Sequence, residues 1–287
     1  MLSLSVLVSE LVVSRGGIAP NIAYTLSLLG ERPLLLVSVG EDAREYMADL
    51  AERGIDITAV SYSKLPTATY TVLTDSKDCQ VGGFYLGAMA ESEGLSLRPH
   101  VSDKSFVVIS AHDPAGMRRQ VAEAAEMGLR MFYDVSQQVS NVDASDLRAG
   151  LESAELLILN DFELGVFAKK LGKTEQEITA AVKTCVVTLG EQGSRVFSGG
   201  AEQRVPAVSV QQVVDPTGAG DAFRAGFLYG YVRGWDAVRC AQLGAVTAAY
   251  AVEAQGTQNH SFTRKELAAR YKMSFDQELQ IKESKYG

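Results

Sequence analysis

Residues Val213–Trp235 read VVDPTGAGDAFRAGFLYGYVRGW, and this stretch decides how the rest of the chain is interpreted. Val213-Val214 is interpreted as the end of a buried strand, which Asp215-Pro216 breaks because proline fixes φ and lacks a ladder donor. The small residues Gly218-Ala219-Gly220 predict a turn, and the apolar segment that begins at Asp221 is typical of a buried helix. The order is therefore strand, glycine-rich turn, helix.

A glycine-rich turn that leads into a helix has unpaired backbone N–H groups at the positive end of the helix dipole, which favours an anion. A bound anion would repel the Asp221 carboxylate. One interpretation therefore makes Asp221 the base that takes a proton from a hydroxyl attacking a phosphoryl group. The alternative is that Asp221 is a first-turn residue favoured by the dipole and that the glycines only shape a turn. These residues alone leave both open.

Length and composition favour one large soluble α/β domain of 287 residues, with 46% hydrophobic and 22% charged residues. The net charge of 27 − 35 = −8 and the lack of a basic run give little support for nucleic-acid binding. No apolar stretch reaches membrane-spanning length, and the first residues lack the basic flank of a signal peptide. Cys79, Cys185 and Cys240 are far apart, which predicts reduced core thiols in a cytoplasmic protein.

Along the chain, strand patterns alternate with helix patterns, which predicts a mostly parallel sheet with helices on both faces. Functional residues are then expected at the carboxyl ends of the strands. The expected strands are 33–39, 67–74, 79–86, 106–110, 129–134, 156–160, 185–189, 194–198 and 203–214, with a loosely alternating segment at 2–13. The expected helices are 18–29, 43–53, 115–127, 144–152, 161–171, 175–183, the segment from Asp221, 236–253 and 264–270. The pair 67–74 and 79–86 is predicted to be a hairpin that interrupts this alternation.

Two strand ends carry candidate ligand-binding residues. Asn160 and Glu163 lie three residues apart across a strand-to-helix turn, where both could hold hydrated Mg²⁺. Taken alone they favour the alternative, in which Asn160 or Asp161 caps the helix. The segment 188–193, TLGEQG, is a second glycine-bearing turn, with a hairpin loop as its alternative.

Gly16-Gly17 opens another helix, with Asn21 one turn further on, and paired glycines permit the close approach of a substrate. The histidines His100, His112 and His260 have no metal-ligand spacing. The chain has no GxxxxGK[ST] phosphate loop and no GxGxxG after an early strand. These absences argue against a P-loop enzyme and a dinucleotide oxidoreductase.

Taken together, these motifs resemble those of a known family. Asp215–Asp221, DPTGAGD, is similar to the signature of the ribokinase-like carbohydrate and nucleoside kinases, the phosphofructokinase B family. Gly16-Gly17 with Asn21, Val39–Asp42, Asn160-x-x-Glu163 and Thr188-Leu189-Gly190 match further family motifs in the same order. Within the family, Phe84–Met89 and Gly256–His260 resemble an adenosine-kinase-like branch.

The resemblance implies a catalytic arrangement around the central stretch. Asp221 would be the base that activates the acceptor hydroxyl, and the N–H groups of Gly218, Ala219 and Gly220 would form an anion hole for the transferring phosphoryl group. Asn160 and Glu163 would position Mg²⁺, largely through water. Phosphoryl transfer depends on positioning and charge stabilisation of this kind.

The resemblance also implies the substrate sites. Residues that would border ATP are Asn160, Thr188, Gly190, Gly193, Gly256 and Gln258, and residues that would bind the acceptor are Gly16, Gly17, Asn21 and Met89. Asp215 and Thr217 would lie near a monovalent-cation site in those members that bind K⁺. Residues 1–287 would form a single ribokinase-like domain, a three-layer sandwich whose β lid takes in segments at about 2–13 and 55–90.

The start of the chain departs from the family pattern. Members usually begin with a central strand and an aspartate that holds acceptor hydroxyls, whereas the fifteen residues before Gly16 contain no aspartate. A missing central strand would leave buried backbone groups unpaired, at roughly 1–3 kcal/mol each. We therefore expect the gap to be closed, either by pairing of the flanking strands or by residues 2–13.

The resemblance implies an ATP-dependent, Mg²⁺-requiring kinase that phosphorylates the 5′-hydroxymethyl group of a nucleoside, with adenosine favoured. The first alternative is a kinase for a ribose- or fructose-type sugar. The second is a catalytically impaired homologue that only binds ligand, against which the presence of Asp221 argues. The expected partners are small molecules, without nucleic acid or membrane, and the expected state is a monomer or homodimer.

Overall fold

The structure is a computed structural model that describes residues 5–75 and 79–281. Its strands are β1 (Ser38–Gly40), β2 (Ser61–Ser63), β3 (Thr69–Thr74), β4 (Gln80–Tyr85), β5 (Phe106–Ser110), β6 (Arg130–Asp134), β7 (Leu156–Asn160), β8 (Thr184–Thr188), β9 (Ser194–Ser198) and β10 (Ala201–Val205). Its α-helices are α1 (Ile18–Leu28), α2 (Arg44–Glu52), α3 (Pro114–Glu126), α4 (Ala144–Ser153), α5 (Asp161–Leu171), α6 (Glu175–Thr179), α7 (Ala219–Tyr231), α8 (Ala237–Val252) and α9 (Arg264–Phe275).

A six-stranded sheet in the order β10-β9-β8-β7-β6-β5 forms the centre of the molecule. Strands β5 to β8 are parallel, and β9 and β10 are antiparallel to their neighbours. The predicted α/β architecture with a mostly parallel sheet is confirmed. The register of β7 and β8 pairs Asn160 with Thr188, so two of the predicted site residues lie side by side at the carboxyl end of the sheet.

The side chains of each central strand alternate between two buried layers, as the pleat of a strand requires. In β7, Leu157 and Leu159 pack with residues of α3, α4 and α5. Leu156 and Ile158 pack on the opposite face with residues of α1, α7 and α8. Both faces of the sheet are therefore covered by helices, which explains why β7 is apolar along its length.

Helix α7 is the buried helix that the sequence predicts, because every residue from Ala222 to Tyr231 is buried. Its glycines allow the neighbouring helix to approach closely. A Cβ at Gly226 would lie 2.8 Å from the Leu243 carbonyl oxygen of α8, closer than real Cβ contacts. The start of α7 is thus fixed by the packing of the whole helix.

The prediction that Val213-Val214 ends a buried strand is wrong. The two side chains are 57% and 45% exposed, and β10 already ends at Val205. The Val214 N–H donates to the Val252 carbonyl oxygen at 2.7 Å, so this segment runs past the end of α8 and not along the sheet. The apolar character of Val213 and Val214 therefore suggested a strand, but these residues do not pair with the sheet.

Two other elements are shorter than predicted. The helix expected at 175–183 ends at Thr179, because the chain turns there to enter β8. The strand expected at 33–39 is reduced to a single bridge at Leu34 and to β1, which pairs with β2 in a separate two-stranded sheet.

The expectation that the gap in the sheet is closed is also wrong for the described residues. Strand β5 is the edge of the six-stranded sheet and does not pair with β1. Residues 5–13 form no strand and are exposed, and residues 1–4 lie outside the described residues. Val108, in the middle of β5, is 37% exposed. Water therefore reaches this edge and can satisfy its backbone groups, which removes the energetic argument for closure.

The predicted hairpin is confirmed, since β3 and β4 form an antiparallel two-stranded sheet. Residues 76–78 of its predicted connection lie outside the described residues. Cys185 and Cys240 are buried free thiols as expected, but Cys79 is exposed because it precedes β4 on this peripheral hairpin. Within the described ranges, no helix has both the length and the apolar character needed to cross a membrane.

Candidate active site

The turn before α7 has the backbone geometry of an open anion site. Gly218 adopts φ 84°, in the left-handed region, and a Cβ there would lie 3.0 Å from Cβ of Thr257. The N–H groups of Gly218 and Gly220 have no hydrogen-bond acceptor among residues 5–75 and 79–281. The Ala219 N–H makes a long bond of 3.2 Å to the Pro216 carbonyl oxygen. Two of the three predicted donors are therefore free to meet a ligand.

Asp221 lies in the first turn of α7 and is half-buried. Its Oδ2 accepts a hydrogen bond of 2.8 Å from Nδ2 of Asn21 in α1. Burial raises the pKa of the Asp221 carboxyl, while the Arg224 guanidinium and the Asn21 hydrogen bond act in the opposite direction. A carboxyl with a raised pKa accepts a proton more readily than an exposed one, as a general base requires.

A hydrogen-bond network fixes the Asn21 amide. Its Oδ1 accepts from the Thr257 hydroxyl at 2.9 Å and from Nε2 of Gln258 at 2.8 Å. Nε2 of Gln258 also donates to the Tyr46 hydroxyl at 2.6 Å, and Tyr46 donates to the Gly16 carbonyl oxygen at 3.0 Å. With its oxygen engaged in this way, Asn21 must turn its NH₂ group toward Asp221.

This network joins residues that the sequence assigned to different ligands. Gln258 was predicted to border the nucleotide, but its side chain contacts Asn21, which was predicted to bind the acceptor. Tyr46 was not singled out from the sequence, and Thr257 was named only as part of the segment Gly256–His260. Tyr46 lies on the amphipathic helix α2, where its hydroxyl gave no signal of a site.

Asn160 and Glu163 form a capping box at the start of α5. The Glu163 N–H donates to Oδ1 of Asn160 at 2.7 Å, and the Asn160 N–H donates to Oε2 of Glu163 at 2.9 Å. The helix-cap alternative is therefore realised. Glu163 is only 5% exposed, and its Oε1 has a single long contact of 3.4 Å with the Ser136 hydroxyl.

The surroundings of Glu163 fit a hydrated cation. Asp134 at the end of β6 is fully buried, and neither of its carboxylate oxygens has a hydrogen bond of good geometry. Burial raises the pKa of the Asp134 carboxyl, the charges of Asp221 and Glu163 raise it further, and the Arg224 guanidinium opposes the shift. No set of three acidic, His or Cys side chains among the described residues is arranged to hold a metal ion directly. Mg²⁺ that keeps most of its water is compatible with this arrangement.

Arg224 is a buried cation that was not singled out from the sequence. Its Nη2 lies 2.8 Å from Oδ1 of Asp134 and 3.9 Å from Oε2 of Glu163. The available signal was a single charged residue within the apolar run AFRAGF, since a buried arginine requires a carboxylate partner.

Asp215 ties the glycine turn to the loop that follows α8. Its Oδ1 accepts from the Thr217 N–H at 2.9 Å, and its Oδ2 accepts from the Gly256 N–H at 2.9 Å and from Nε2 of Gln255 at 3.0 Å. Burial alone would raise the pKa of Asp215, but these hydrogen bonds outweigh it and lower the pKa. The role of Asp215 and Thr217 at a monovalent-cation site stays a prediction.

The remaining predicted residues are spread around this centre. Thr188 ends β8, and Gly190 and Gly193 lie in the tight connection to β9, so the hairpin alternative is realised there. A Cβ at Gly193 would lie 2.7 Å from the Ala207 nitrogen, which explains this glycine structurally. Met89 is half-buried in the 3₁₀ segment Gly87–Gly94. Their ligand roles stay predictions.

Comparison with known proteins decides the family. Residues 3–264 match the family model described as pfkB family carbohydrate kinase. The chain belongs to the pfkB family. The resemblance read from the motifs is thereby confirmed.

The relatives of this pfkB kinase include enzymes for nucleosides and for sugars. A nucleoside kinase of Methanocaldococcus jannaschii is 30% identical over 248 residues, which cover 85% of this chain and 81% of that protein. The structure of a Burkholderia thailandensis nucleoside kinase in complex with inosine is 31% identical, with a TM-score of 0.91, and the match covers 96% of this chain and 93% of that one. A fructoselysine 6-kinase of Shigella flexneri is 27% identical, over 84% of this chain and 90% of that protein.

These similarities make the chain a phosphotransferase that acts on a hydroxyl group. The fold agrees, because the Burkholderia thailandensis nucleoside kinase matches nearly the whole of this structure.

Proposed function

We propose that this pfkB kinase transfers the γ-phosphoryl group of ATP to the 5′-hydroxyl of a nucleoside. The observation that carries the proposal is the start of α7, where the Asp221 carboxylate adjoins free N–H groups of an uncapped glycine turn. A base and an anion site this close together suit an attack by a hydroxyl on a phosphoryl group.

In the proposed reaction, the acceptor hydroxyl gives its proton to a carboxylate oxygen of Asp221 as its oxygen attacks phosphorus. The bond between phosphorus and the bridging oxygen of ADP then breaks. The N–H groups of Gly218 and Gly220 donate to the phosphoryl oxygens. Asn21 holds Asp221 in place through the 2.8 Å bond. Bound Mg²⁺ would neutralise phosphate charge, with Asn160 and Glu163 as the residues that hold its water.

Two of the relatives described above support a nucleoside acceptor. The Methanocaldococcus jannaschii enzyme is a nucleoside kinase, and the Burkholderia thailandensis nucleoside kinase has a structure in complex with inosine. A second structure of the latter is a complex with ADP-inosine, which supports ATP as the donor. Among nucleosides, the segments 84–89 and 256–260 favour adenosine, so adenosine and inosine are the first two acceptors to compare.

A sugar acceptor is the second candidate. The specific observation in its favour is the Shigella flexneri relative, which is a fructoselysine 6-kinase of similar length and 27% identity. A homologue that binds ligand without turnover is disfavoured, because its site would have no use for a carboxylate beside an anion site.

The deciding experiment measures ADP release from ATP and Mg²⁺ with a panel of purine and pyrimidine nucleosides, ribose and fructose. Product analysis should show a nucleoside 5′-monophosphate, formed by the wild-type chain and not by the Asp221→Asn variant. Turnover with a sugar and with no nucleoside would contradict the proposal and favour the second candidate. Turnover that survives Asp221→Asn would contradict the mechanism.

A further inference from the structure

Arg224 and Asp134 form an ion pair in the interior, between the central sheet and α7. The Asp134 side chain is fully buried and Arg224 is 7% exposed. Their closest atoms, Nη2 and Oδ1, are 2.8 Å apart, whereas Nε of Arg224 has no hydrogen-bond partner within the described part of the chain. Burying such a pair costs several kcal/mol per ion in desolvation, so it is weak evidence for stability. The pair needs another explanation.

The position of the guanidinium supplies one. Arg224 lies one turn after Asp221 on α7, and its side chain folds back toward the start of the helix. A Cβ built on Gly220 would lie 2.8 Å from Nη1 of Arg224. The positive charge is therefore directly beside the backbone of the anion turn, on its buried side.

The same guanidinium serves three carboxyls. It contacts Asp134 and lies 3.9 Å from Glu163, and its charge also acts on Asp221. Burial raises the pKa of Asp134 to about 7, and that of Asp221 is raised as well, while Arg224 opposes both shifts. The other groups that act on Asp221 are the Asn21 amide of α1 and the Glu163 carboxylate of α5. Arg224 is the cation among them.

We propose that Arg224 is a positioning residue of the phosphoryl-transfer site: held by Asp134, its guanidinium places a fixed positive charge beneath the anion turn and one helical turn from the Asp221 carboxylate. This inference rests on the proposed function of Asp221 as base. Asp134 acts through Arg224, because its carboxylate fixes the guanidinium without touching the turn.

The competing explanation is that Arg224 only neutralises a buried aspartate. Removing Arg224 alone cannot distinguish the two, because an unpaired Asp134 would destabilise the fold. The pair is therefore removed in steps. Asp134→Asn keeps a polar partner for the guanidinium, and Asp134→Asn/Arg224→Met then removes the cation without leaving the Asp134 charge buried and unpaired. Asp134→Asn/Arg224→Lys restores the cation in the same background.

The first readout needs no substrate. Aspartate side chains are labelled with ¹³C, the Asp221 carboxyl signal is assigned by its loss in Asp221→Asn, and its titration is followed by NMR. Replacing Arg224 by Met in the Asp134→Asn background should raise the Asp221 midpoint by at least about one pH unit, which is a tenfold loss of ionised form at a given pH below the midpoint. The lysine variant should recover most of this shift. Equal midpoints in the Asn and Asn/Met variants would overturn the proposal.

The second readout is kinetic. The acid limb of the kcat profile should move upward with the Asp221 midpoint, and kcat should fall more than the KM for ATP changes. If Arg224 only neutralised Asp134, the Asn/Met variant would have the profile of the Asn variant, which would also overturn the proposal. Failure of the proposed function is a different result, since a wild-type chain without kinase activity would still give the NMR comparison.

Discussion

The helices α5 and α7 begin in the same site but use their first turns differently. Helix α5 begins with a capping box, in which Asn160 and Glu163 satisfy each other's backbone N–H groups. Helix α7 begins at Gly218, which has no side chain to cap with, and no side-chain cap bond is formed. Since capping stabilises a helix by about 1 kcal/mol, an uncapped start is unfavourable unless a ligand uses its donors.

The two helices also carry a carboxylate at the same position, the third residue. In α5, Glu163 is long enough to reach back to the Asn160 N–H at 2.9 Å. In α7, Asp221 accepts from Asn21 on another helix and leaves its own turn open. An acidic residue in the first turn of a helix therefore does not by itself indicate a ligand site, whereas unpaired N–H donors beside it do.

The largest expected effect comes from Asp221→Asn. Loss of the base should lower kcat by about 10²–10⁴-fold and leave ATP binding nearly unchanged, because the carboxylate moves a proton and does not bind phosphate. The matched control is Asp161→Asn, an exposed acid in the first turn of α5, which should retain wild-type kcat. Near-normal turnover by Asp221→Asn would mean that the acidic residue in the first turn of α7, like that of α5, serves only the structure of its helix.

Gly220→Val tests the open turn itself. The new side chain would collide with Nη1 of Arg224 and displace the turn and its N–H donors from their positions, so kcat should fall by about 10²–10³-fold. Gly165→Val in α5 is the control, because a Cβ there has no neighbour within 4 Å. Thermal melting is measured for both. Unfolding of Gly220→Val alone, with no folded population to assay, would assign the glycine to the fold and not to the anion.

Glu163→Gln removes the negative charge of Glu163 but keeps its capping hydrogen bond, because glutamine also completes a capping box. If Glu163 positions Mg²⁺, the Mg²⁺ concentration for half-maximal rate should rise roughly tenfold. Glu177→Gln changes the same position of the capping box in α6 and should leave it unchanged. An identical Mg²⁺ dependence in both variants would leave Glu163 with the capping role alone.

The smallest effect is expected from Asn160→Ala. Removing the cap should lower the free energy of unfolding by about 1 kcal/mol, and Thr174→Ala, which removes the cap of α6, should do the same. Denaturant melts compare the two. Only Asn160→Ala should also raise the Mg²⁺ requirement. Equal kinetics for both variants would show that α5 is an ordinary capped helix.

The sequence predicts the central part of the fold well, because there its signals agree with one another. Strand β7 is apolar throughout and is followed by capping residues, and both features come from burial on two sides and a helix start. The segment 203–214 was mistaken for a longer strand because apolar residues alone do not say what they pack against. Val213 and Val214 are exposed, so their hydrophobicity has no counterpart in the core.

In the candidate site, the sequence identifies those residues whose role can be inferred from a short local motif. The turn at Gly218–Asp221 can be predicted from its own consecutive residues. The pairing of Arg224 with Asp134 does not follow from spacing, because 90 positions of chain separate a β6 end from a helix that packs over it. The contact of Gln258 with Asn21 joins segments at opposite ends of the chain for the same reason.

The burial of α7 has a consequence for changing this enzyme by selection. Ten of its thirteen residues are buried, and its first turn carries the glycine turn that we propose faces the substrates. A library that randomises this helix would alter fold and chemistry together, and most members would be lost before any activity was tested. Tyr46 and Gln258 are half-buried side chains outside α7 that reach Asp221 only through Asn21. New acceptor preferences should therefore be found by varying Tyr46 and Gln258, where substitutions lower the free energy of unfolding less than substitutions in α7 do.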